Sequence, residues 1–368
     1  MKATFLTENL QKKLTFLNHA VSANGQLEIL SSFLIRTEKG RLTISATDLE
    51  IGISSSLPAS VDEEGEVAVL AKTFFDLINN ITEEKISLKT EGQNLVVLGK
   101  KIRMVFQTMP HEDFPKLYEK KEKEAAVLKK ETIEKDFGRV VFSASQDNGR
   151  PALSGVLIRK EKGGFLIVAT DGYRLSLKRN VLITTKEEDV EELLLPARAI
   201  KELSYMKDEG DVSLFVSDKN NQAIFTQGET TLVGRLIDAE YPSYEKIIPS
   251  DFGTKAEFDT GEMQKAIKLC SVFARETANI VKLSIGKDKI VVSANTPSAG
   301  ENTVEVDAKT SGEENEIAFN ARYLLDLFAN TEEDSMTFEM AGPLNPGVFK
   351  VTGDNSYLHL IMPIRVQG

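Results

Sequence analysis

The sequence predicts an α+β fold made of three tandem similar domains, each with two helices and an antiparallel sheet. Two repeated features indicate the three domains: a strand–turn–strand segment and a short helix that starts with a basic residue. The connections between predicted strands are too short for the crossovers that parallel strands need, so antiparallel pairing is expected. A chain of 368 residues is also too long for one ordinary core.

The strand–turn–strand segment occupies residues 34–48 and 157–171, and a weaker copy occupies residues 282–295. The first two copies end in Ala-Thr-Asp, at Asp48 and Asp171, and the third ends at Asn295. These equivalent positions are 123 and 124 residues apart. One fixed period in a chain is the sequence signature of repeated structural units.

The short helix repeats at nearly the same interval, at residues 72–78, 198–203 and 322–328, with an apolar strand before each copy. Strands are also predicted at residues 85–89 and 211–215, where apolar and polar residues alternate. Charged or proline-containing stretches at residues 116–130 and 249–255 separate the repeats. The predicted domains are therefore residues 1–120, 128–250 and 254–368.

Each repeat is expected to begin with a longer amphipathic helix, because apolar residues recur there every three or four positions. The three apolar stripes are Leu10, Leu14, Leu17 and Val21; Ile133, Phe137, Val140 and Ala144; and Met263, Ile267, Cys270 and Ala274.

The composition indicates a globular protein, with 41% hydrophobic and 27% charged residues and a formal net charge of −11. This acidic balance argues against an indiscriminate nucleic-acid coat, although it leaves room for a local basic surface. No apolar run approaches the roughly 20 residues of a membrane span, and the N-terminus has no signal-peptide pattern. A cytoplasmic location without membrane partners is therefore expected.

The sequence offers little material for catalysis, so neither enzymatic activity nor a cofactor or metal is expected. The three histidines form no metal-binding motif, and one cysteine cannot make a multi-thiolate site. Asp259-Thr260-Gly261 matches the triplet of aspartic proteases, but their mechanism needs a second such aspartate. The favoured interpretation is that Asp259 or Thr260 caps the third amphipathic helix. Cys270 is interpreted as a core residue of that helix rather than as a nucleophile.

Four strings in the second half of the chain point to a known family. They are Ala169-Thr170-Asp171-Gly172-Tyr173-Arg174-Leu175, Ala239-Glu240-Tyr241-Pro242, Phe319-Asn320-Ala321-Arg322-Tyr323-Leu324-Leu325-Asp326 and Met362-Pro363-Ile364-Arg365. With these strings in this order, and across all three repeats, the chain resembles the beta sliding clamp of bacterial DNA polymerase III.

The resemblance implies a head-to-tail homodimer whose six domains close into a ring, with helices on the inner face and antiparallel sheets on the outer face. Duplex DNA would thread the ring without sequence-specific contacts, and the ring would confer processivity by tethering the replicative polymerase. Clamp-loader subunits would also bind, through short linear motifs. Head-to-tail pairing of two three-domain chains is compatible with closed symmetry and removes exposed sheet edges. The alternative function is an interaction scaffold of the same fold that binds peptide motifs without loading on DNA.

The resemblance places a partner-peptide cleft between the second and third domains. Its residues would be Leu153, Thr170, Gly172, Tyr173, Arg174, Leu175, Pro242, Lys246, Ile247, Asn320, Tyr323, Leu360, Met362, Pro363, Ile364 and Arg365. An apolar floor is expected from Leu175, Ile247, Leu360 and Met362, with Arg174 and Arg365 at the rim. The alternative for the apolar run near the chain end is a closing strand of the third sheet. Tyr173, Lys246 and the final Gln367-Gly368 depart from the family pattern and could alter motif preference.

Two further surfaces follow from the resemblance. The subunit interface would consist of Thr73, Leu77, Ile81, Met104, Phe106, Val272 and Phe273, for which core packing is the alternative. The DNA-facing residues would be Lys12, Lys13, Lys72, Gln146, Arg150, Arg198, Lys201, Lys265 and Lys268. An ordinary solvated surface is the alternative for this second set, because acidic residues on the same helices nearly balance the basic ones.

Overall fold

The structure is a computed structural model that describes residues 1–22, 27–118, 124–147, 149–186, 191–217, 219–296 and 300–365. It divides into two compact units. The first contains Met1–Lys130, Thr184–Asp189 and Arg198–Leu236, and the second contains Glu131–Ile183, Val190–Ala197 and Ile237–Gly368.

The described residues of the first repeat form nine strands and two α-helices. They are β1 (Lys2–Leu6), α1 (Thr7–Leu17), β2 (Ser32–Glu38), β3 (Arg41–Thr47), β4 (Ile51–Pro58), β5 (Ser60–Glu63), β6 (Gly65–Leu70), α2 (Ala71–Asn79), β7 (Lys85–Glu91), β8 (Asn94–Leu98) and β9 (Arg103–Met109).

The second repeat follows the same order, and its first helix has a π-helical segment, Thr132–Phe137, directly before α3. Its elements are β10 (Glu124–Leu128), α3 (Gly138–Val141), β11 (Gly155–Glu161), β12 (Gly164–Thr170), β13 (Arg174–Val181), β14 (Thr184–Thr185), β15 (Glu192–Pro196), α4 (Ala197–Leu203), β16 (Val212–Ser217), β17 (Gln222–Gln227) and β18 (Thr230–Arg235).

The third repeat has one strand fewer before its second helix. Its elements are β19 (Thr254–Asp259), α5 (Thr260–Ala274), β20 (Ile280–Ile285), β21 (Lys289–Thr296), β22 (Gly300–Gly312), β23 (Asn315–Asn320), α6 (Ala321–Ala329), β24 (Ser335–Met340), β25 (Gly347–Val351) and β26 (Asp354–Ile361). Short 3₁₀ turns lie at Asn18–Ala20, Glu28–Ser31, His111–Asp113, Pro151–Ser154 and Glu245–Ile247.

The expectation that each repeat begins with a helix is wrong, because a short strand precedes it: β1, β10 and β19. In β1, Ala3 and Phe5 are buried and the strand pairs with β7, so tertiary pairing stabilises a segment too short for a clear periodic signal. Val21 is also wrongly assigned to the first helix. The α-helix ends at Leu17, and Val21 has an extended backbone after a 3₁₀ turn.

The helix predictions for the third repeat are confirmed in detail. Asp259 is the N-cap of α5, and its side chain accepts a hydrogen bond of 2.8 Å from the backbone N–H of Glu262. Cys270 is fully buried, and this burial raises the pKa of its thiol to about 11. A buried thiol with a raised pKa is a poor nucleophile, so Cys270 is a core residue.

The pairings recorded between described strands are all antiparallel, as predicted. Each compact unit holds one continuous sheet that crosses from one repeat into the next. In the first unit β4 pairs with β18, which we call the first joint. In the second unit β13 pairs with β26, which we call the second joint. Each joint connects the strand after the Thr-Asp turn of one repeat to the last strand of the next repeat.

The α+β class with three similar domains is confirmed, whereas the proposed boundaries 1–120, 128–250 and 254–368 stay a prediction. The compact units follow the continuous sheets rather than the repeats, because strand pairing continues across each joint, from β4 to β18 and from β13 to β26. In the described part of the chain, no helix is long and apolar enough to cross a membrane.

Candidate functional site

The predicted cleft is organised around the tight turn between β12 and β13. Thr170 is buried, and its hydroxyl donates to the carbonyl of Arg174 at 2.6 Å and accepts from the N–H of Gly172 at 3.0 Å. The Asp171 carboxylate accepts from the N–H groups of Tyr173 and Arg174. Gly172 has a φ of 89°, a left-handed conformation that favours glycine. Local side-chain hydrogen bonds therefore fix the turn and hold Tyr173 outward, 57% exposed.

Arg174 does not lie at a solvent-exposed rim as expected, since only 10% of its side chain is exposed. Its Nε donates to Asp171 at 3.1 Å, Nη1 to Asp326 at 2.6 Å and Nη2 to the carbonyl of Phe142 at 3.0 Å. The guanidinium also lies 4.6 Å from the ring centroid of Tyr323, within the range of a cation–π contact. The planar fork of arginine satisfies several partners at once, which explains why the side chain is drawn inward.

The expected apolar floor is only half accessible. Leu175 and Leu360 are opposite each other at the second joint and are fully buried, in a cluster with Leu157 and other apolar side chains. Ile247 and Met362 remain 42% and 38% exposed. The buried pair therefore supports the floor, and the exposed pair can contact a ligand.

The segment after the last strand stays attached to the protein although it leaves the sheet. β26 ends at Ile361, so the closing-strand alternative holds up to that residue. The N–H of Met362 then donates to the carbonyl of Tyr173 at 2.8 Å, and the N–H of Ile364 donates to the carbonyl of Ala318 at 2.8 Å. These bonds orient the Met362 side chain beside the turn. Gln367-Gly368 lies outside the described residues.

The remaining predicted cleft residues have different environments. Asn320 caps α6 by accepting from the N–H of Arg322 at 2.9 Å, and Tyr323 in the first turn of α6 is half-buried. Leu153 is partly buried in a 3₁₀ turn. The members with exposed side chains are Pro242, Lys246 and Arg365.

The sequence missed two residues that shape this region, Asp326 and Tyr244. The sequence analysis gives Asp326 no role in the cleft, yet its carboxylate accepts a hydrogen bond from Arg174. Tyr244 is 3% exposed and accepts a 2.8 Å hydrogen bond from Arg159, and burial raises its pKa to about 12. Its position three residues after Tyr241 was the available signal, since two aromatic residues in one connector suggest an anchored segment.

The predicted interface residues fall into buried and exposed groups. Phe106 is 6% exposed and makes an edge contact with Phe74 at 5.3 Å between centroids, and Ile81 is 8% exposed. Leu77 and Val272 are 39% and 55% exposed. Thr73 is exposed, whereas Met104 and Phe273 are half-buried. Core packing, the alternative, therefore accounts for Phe106 and Ile81 but not for Leu77 and Val272.

The predicted DNA-facing residues also divide into two groups. The ones with exposed side chains are Lys12, Lys72, Gln146, Arg150, Lys201, Lys265 and Lys268. Lys13 is 21% exposed and pairs with Asp208, and Arg198 pairs with Asp48 and with Glu50 at 2.8 Å. The charges of Lys13 and Arg198 are thus compensated within the chain, at the first joint. Lys12 also has a helical partner, Glu8.

Among the residues that the structure describes, no group of three His, Cys, Asp or Glu side chains could hold a metal ion. His359, near the cleft, is fully buried, and its Nδ1 forms a hydrogen bond of 2.7 Å with the Ser176 hydroxyl. Burial lowers its pKa to about 3, so the ring is neutral at physiological pH.

The three repeats match three family models in chain order. The N-terminal domain of the DNA polymerase III beta subunit matches residues 1–118, the central domain matches 127–243, and the C-terminal domain matches 245–365. Together these matches cover nearly the whole chain.

Individual relatives agree with the family matches. The chain is 28% identical over 361 residues to the beta sliding clamp of Staphylococcus aureus, covering 94% of both chains, and 28% identical over 360 residues to that of Chlamydia pneumoniae. The latter alignment covers 97% of this chain and 96% of the relative. The crystal structure of the DNA polymerase III beta subunit from Thermotoga maritima is 26% identical, covers both chains fully and has a TM-score of 0.89. The chain belongs to the family of DNA polymerase III beta subunits, the beta sliding clamps.

Proposed function

We propose that two copies of this chain close head to tail into a ring that encircles duplex DNA and tethers the replicative polymerase. The sliding-clamp function goes with the family, and the ring is its mechanical basis. The observation that carries the proposal is the repetition of one type of joint. The strand after the Thr-Asp turn pairs with the last strand of the next repeat at both the first and the second joint.

The strands that correspond to these partners in the third and the first repeat are β22 and β9, and they do not pair with each other in the described chain. β22 follows β21 in the third repeat as β4 follows β3 in the first, and β9 is the last strand of the first repeat. β9 pairs with β8 over residues 103–107, and its other edge meets β6 only at Thr108 and Met109. β22 pairs with β21 over residues 300–307, and its other edge meets β19 only from Ala308 onward. Among the described strands, both therefore have an open edge, and a second copy can supply the missing partner.

Antiparallel pairing of β9 with β22 of another copy would repeat the intrachain joint between chains. Each copy has one such β9 and one such β22, so two copies close the circle with two identical contacts. The charges are complementary: Lys100 and Lys101 precede β9 and Arg103 begins it, while Glu301, Glu305 and Asp307 lie along β22. Within the chain, Arg103 also pairs with Glu91 and Glu305 with Lys289. Opposite charges on facing strands favour this pairing over pairing of β9 with itself.

Exposed apolar side chains accompany both open edges. Leu77 on α2 and Val105 on β9 are 39% and 49% exposed, and Leu269 and Val272 on α5 are each 55% exposed. Val105 and Leu269 were not predicted from the sequence. Exposed apolar residues clustered beside unpaired strands are typical of a protein–protein interface. We propose that these four residues, with Thr73, Met104 and Phe273, form the subunit contact.

DNA contact is proposed for the basic and polar side chains that are exposed and lack a carboxylate at hydrogen-bond distance in the described structure. Lys72, Lys201, Lys265 and Lys268 best fit this role, while Lys13 and Arg198 hold the first joint. A few weak phosphate contacts suit sliding, because topology rather than affinity retains the DNA. Sequence specificity is not expected, since no base-reading element is evident.

Partner proteins are proposed to bind at the turn 170–174 through short linear motifs, with Met362, Ile247 and Tyr173 as the accessible apolar contacts. Polymerase and clamp-loader subunits are the expected partners. A short peptide buries little area, so a dissociation constant on the order of micromolar is expected. We propose a cytoplasmic location and no catalytic activity for the chain itself.

Retention on DNA tests the ring directly. Purified protein is loaded on nicked circular DNA, moved to high salt, and compared with the same sample after linearisation. Topological binding predicts retention on the circle and loss from the linear form. Equal salt-dependent loss from both substrates would mean ordinary phosphate binding and would favour the scaffold alternative.

A further inference from the structure

The two connectors between repeats share a short motif. Asp113-Phe114-Pro115 in the first connector matches Glu240-Tyr241-Pro242 in the second, 127 residues later. Both connectors are anchored on the sheet at a joint. Phe114 is 8% exposed, and the carbonyl of Leu117 accepts a 2.9 Å hydrogen bond from Gln222. The second connector contributes Pro242, Lys246 and Ile247 to the proposed peptide cleft, so the first connector lies at the corresponding place on the first joint.

A cavity of about 960 Å³ lies at the first joint, between the connector residues 114–118 and the sheet. At the second joint, the apolar side chains of Leu166, Val168 and Leu177 belong to a buried cluster. The equivalent residues of the first repeat, 123 positions earlier, are Thr43, Ser45 and Ser54, and they line the cavity. Small hydroxyl side chains thus stand where leucine and valine close the other joint, and the difference in volume leaves the space open.

The floor of this cavity is polar and ordered. The Thr43 and Ser56 hydroxyls are 2.8 Å apart, and Ser45 donates to Ser54 at 3.0 Å. Each of these oxygens keeps a lone pair that can accept from a ligand.

The charged lining of the cavity is predominantly acidic. Its carboxylates are Glu38, Glu66, Glu112 and Glu229, and its cations are Arg36 and Lys116. Arg36 is already paired with Glu66 and Arg41 with Glu229, so Glu38 and Glu112 are the lining carboxylates that no lysine or arginine pairs with in the described structure. His111 lies 3.5 Å from Glu112 and 3.8 Å from Glu66. The acceptors and negative charges together suit a ligand with several N–H or ammonium donors.

We propose that this cavity is a second peptide-docking site, for a polar segment that carries lysine or arginine side chains. Its volume is within the range of about 300–1,000 Å³ typical of ligand sites. Leu34, Phe114 and Leu117 also line the cavity, but hydroxyl groups replace the leucine and valine side chains of the second joint, so the two sites should select different peptides. The proposal goes beyond the ring function, and only this comparison with the cleft rests on the proposed function.

The test uses the full-length protein and a fluorescein-labelled decapeptide of alternating lysine and serine, with anisotropy as the readout at low ionic strength. Saturable binding to wild type is expected. The double variant Glu38→Lys/Glu112→Lys should weaken it on the order of tenfold or more. The matched control is Glu314→Lys/Glu332→Lys, which changes the net charge equally at exposed positions in the second unit and should weaken binding far less.

A second variant, Ser56→Phe, fills the cavity without changing charge and should also abolish binding, with thermal denaturation confirming that the protein is folded. If it does not fold, Ser54→Leu serves the same purpose. Absence of saturable binding, or equal losses in both charge variants, would overturn the site. Displacement of the probe by a cleft-motif peptide would show that the probe binds in the cleft. That outcome would contradict the second docking site but not the proposed cleft.

Discussion

Arg174 and Asp326 are joined by a 2.6 Å hydrogen-bonded ion pair that connects the turn of the second repeat to the short helix α6 of the third. The first joint has an ion pair between the same two kinds of element, at different positions and with the charges reversed, because Arg198 on α4 binds Asp48 in the turn. Both pairs link the same two structural elements. We infer that these ion pairs fix the angle between turn and helix, and that Arg174 positions the cleft rather than binding the peptide itself.

The Arg174→Lys variant should therefore bind a motif peptide more weakly, even when the peptide carries no acidic residue. Lysine keeps the charge but cannot contact Asp171, Asp326 and the Phe142 carbonyl together, so Tyr323 loses its support. A loss on the order of tenfold in calorimetry is expected. Arg179→Lys is the matched control, since Arg179 is in the same strand and pairs with Glu161.

A double-mutant cycle separates positioning from direct binding. Positioning predicts that Arg174→Lys and Asp326→Asn are coupled by about 0.5–3 kcal/mol in peptide affinity. It also predicts no coupling between Arg174 and an acidic residue of the peptide. The reverse pattern would return Arg174 to the rim role that the sequence suggested.

The repeats, the antiparallel sheets and the caps could be predicted because each depends on local patterns. The N-cap at Asp259 and the buried Cys270 follow from spacing alone. The strands β1, β10 and β19 could not, because they are held by partners far away in sequence, as β1 is by β7. The local pattern of five or six residues is too short to decide between strand and loop.

The site was predicted as a set of residues but not as an arrangement. The resemblance supplied Arg174, Leu175 and Leu360. Because most arginines in proteins are exposed, the sequence predicts Arg174 at the rim, and it predicts the two leucines as contact residues of the cleft. Only the fold shows that Leu175 and Leu360 are buried opposite each other and that Asp326 reaches Arg174. Burial and ion-pair choice depend on the joint between repeats, which no local pattern encodes.

The subunit contact is best tested with exposed residues. Val105→Asp and Val272→Asp place a charge on side chains that are about half exposed in the single chain, so folding should be little affected. In a buried interface the same charge is unpaired, and the dimer should dissociate at micromolar concentration. Sedimentation gives the mass, and Leu182→Asp, at a residue that is 72% exposed, is the control. An unchanged dimer mass in both variants would exclude this interface.

Phe106→Ala tests the interface less cleanly than the two valine variants do. Because Phe106 is 6% exposed and contacts Phe74, its removal should cost about 3–5 kcal/mol of folding stability in the first unit. Monomers formed by this variant should therefore also show a lower melting temperature, whereas those of Val105→Asp should not. Differential scanning calorimetry distinguishes the two effects.

Deletion of residues 362–368 should abolish peptide binding while the protein still dimerises and stays on circular DNA when loaded artificially. The deletion removes Met362, an accessible contact, and the hydrogen bond from Met362 to Tyr173 that orients it. β26 ends at Ile361, so the sheet itself is retained. Calorimetry with a motif peptide measures the loss, and Met362→Ala should show part of it. Peptide affinity equal to that of wild type would place the partner site elsewhere.

The buried His359 predicts a specific acid sensitivity of the second joint. Its Nδ1 is 2.7 Å from the Ser176 hydroxyl, which is 2.7 Å from that of Ser143, and the described structure gives Nε2 no hydrogen-bond partner. Burial, and then the charge of Arg174, lower the pKa to about 3 from 6.5. The folded state thus favours the neutral ring, so the neutral His359 contributes its full stabilisation of the folded state above pH 6.5. Stability falls as the pH drops from 6.5 towards 3, because only the unfolded chain takes up this proton readily.

Protonation of His359 in the unfolded chain should lower the free energy of unfolding by about 2–3 kcal/mol at pH 4.5 relative to pH 7. The first joint has Leu232 at the position 127 residues before His359, so His359→Leu is a replacement that the fold already uses there. Urea denaturation at both pH values should show that the variant loses less stability than wild type by about this amount. Carboxylates titrate in both proteins and cancel in the difference. Equal losses in the two proteins would mean that His359 is protonated as easily in the folded state as in the unfolded chain, and would contradict its burial as a neutral ring.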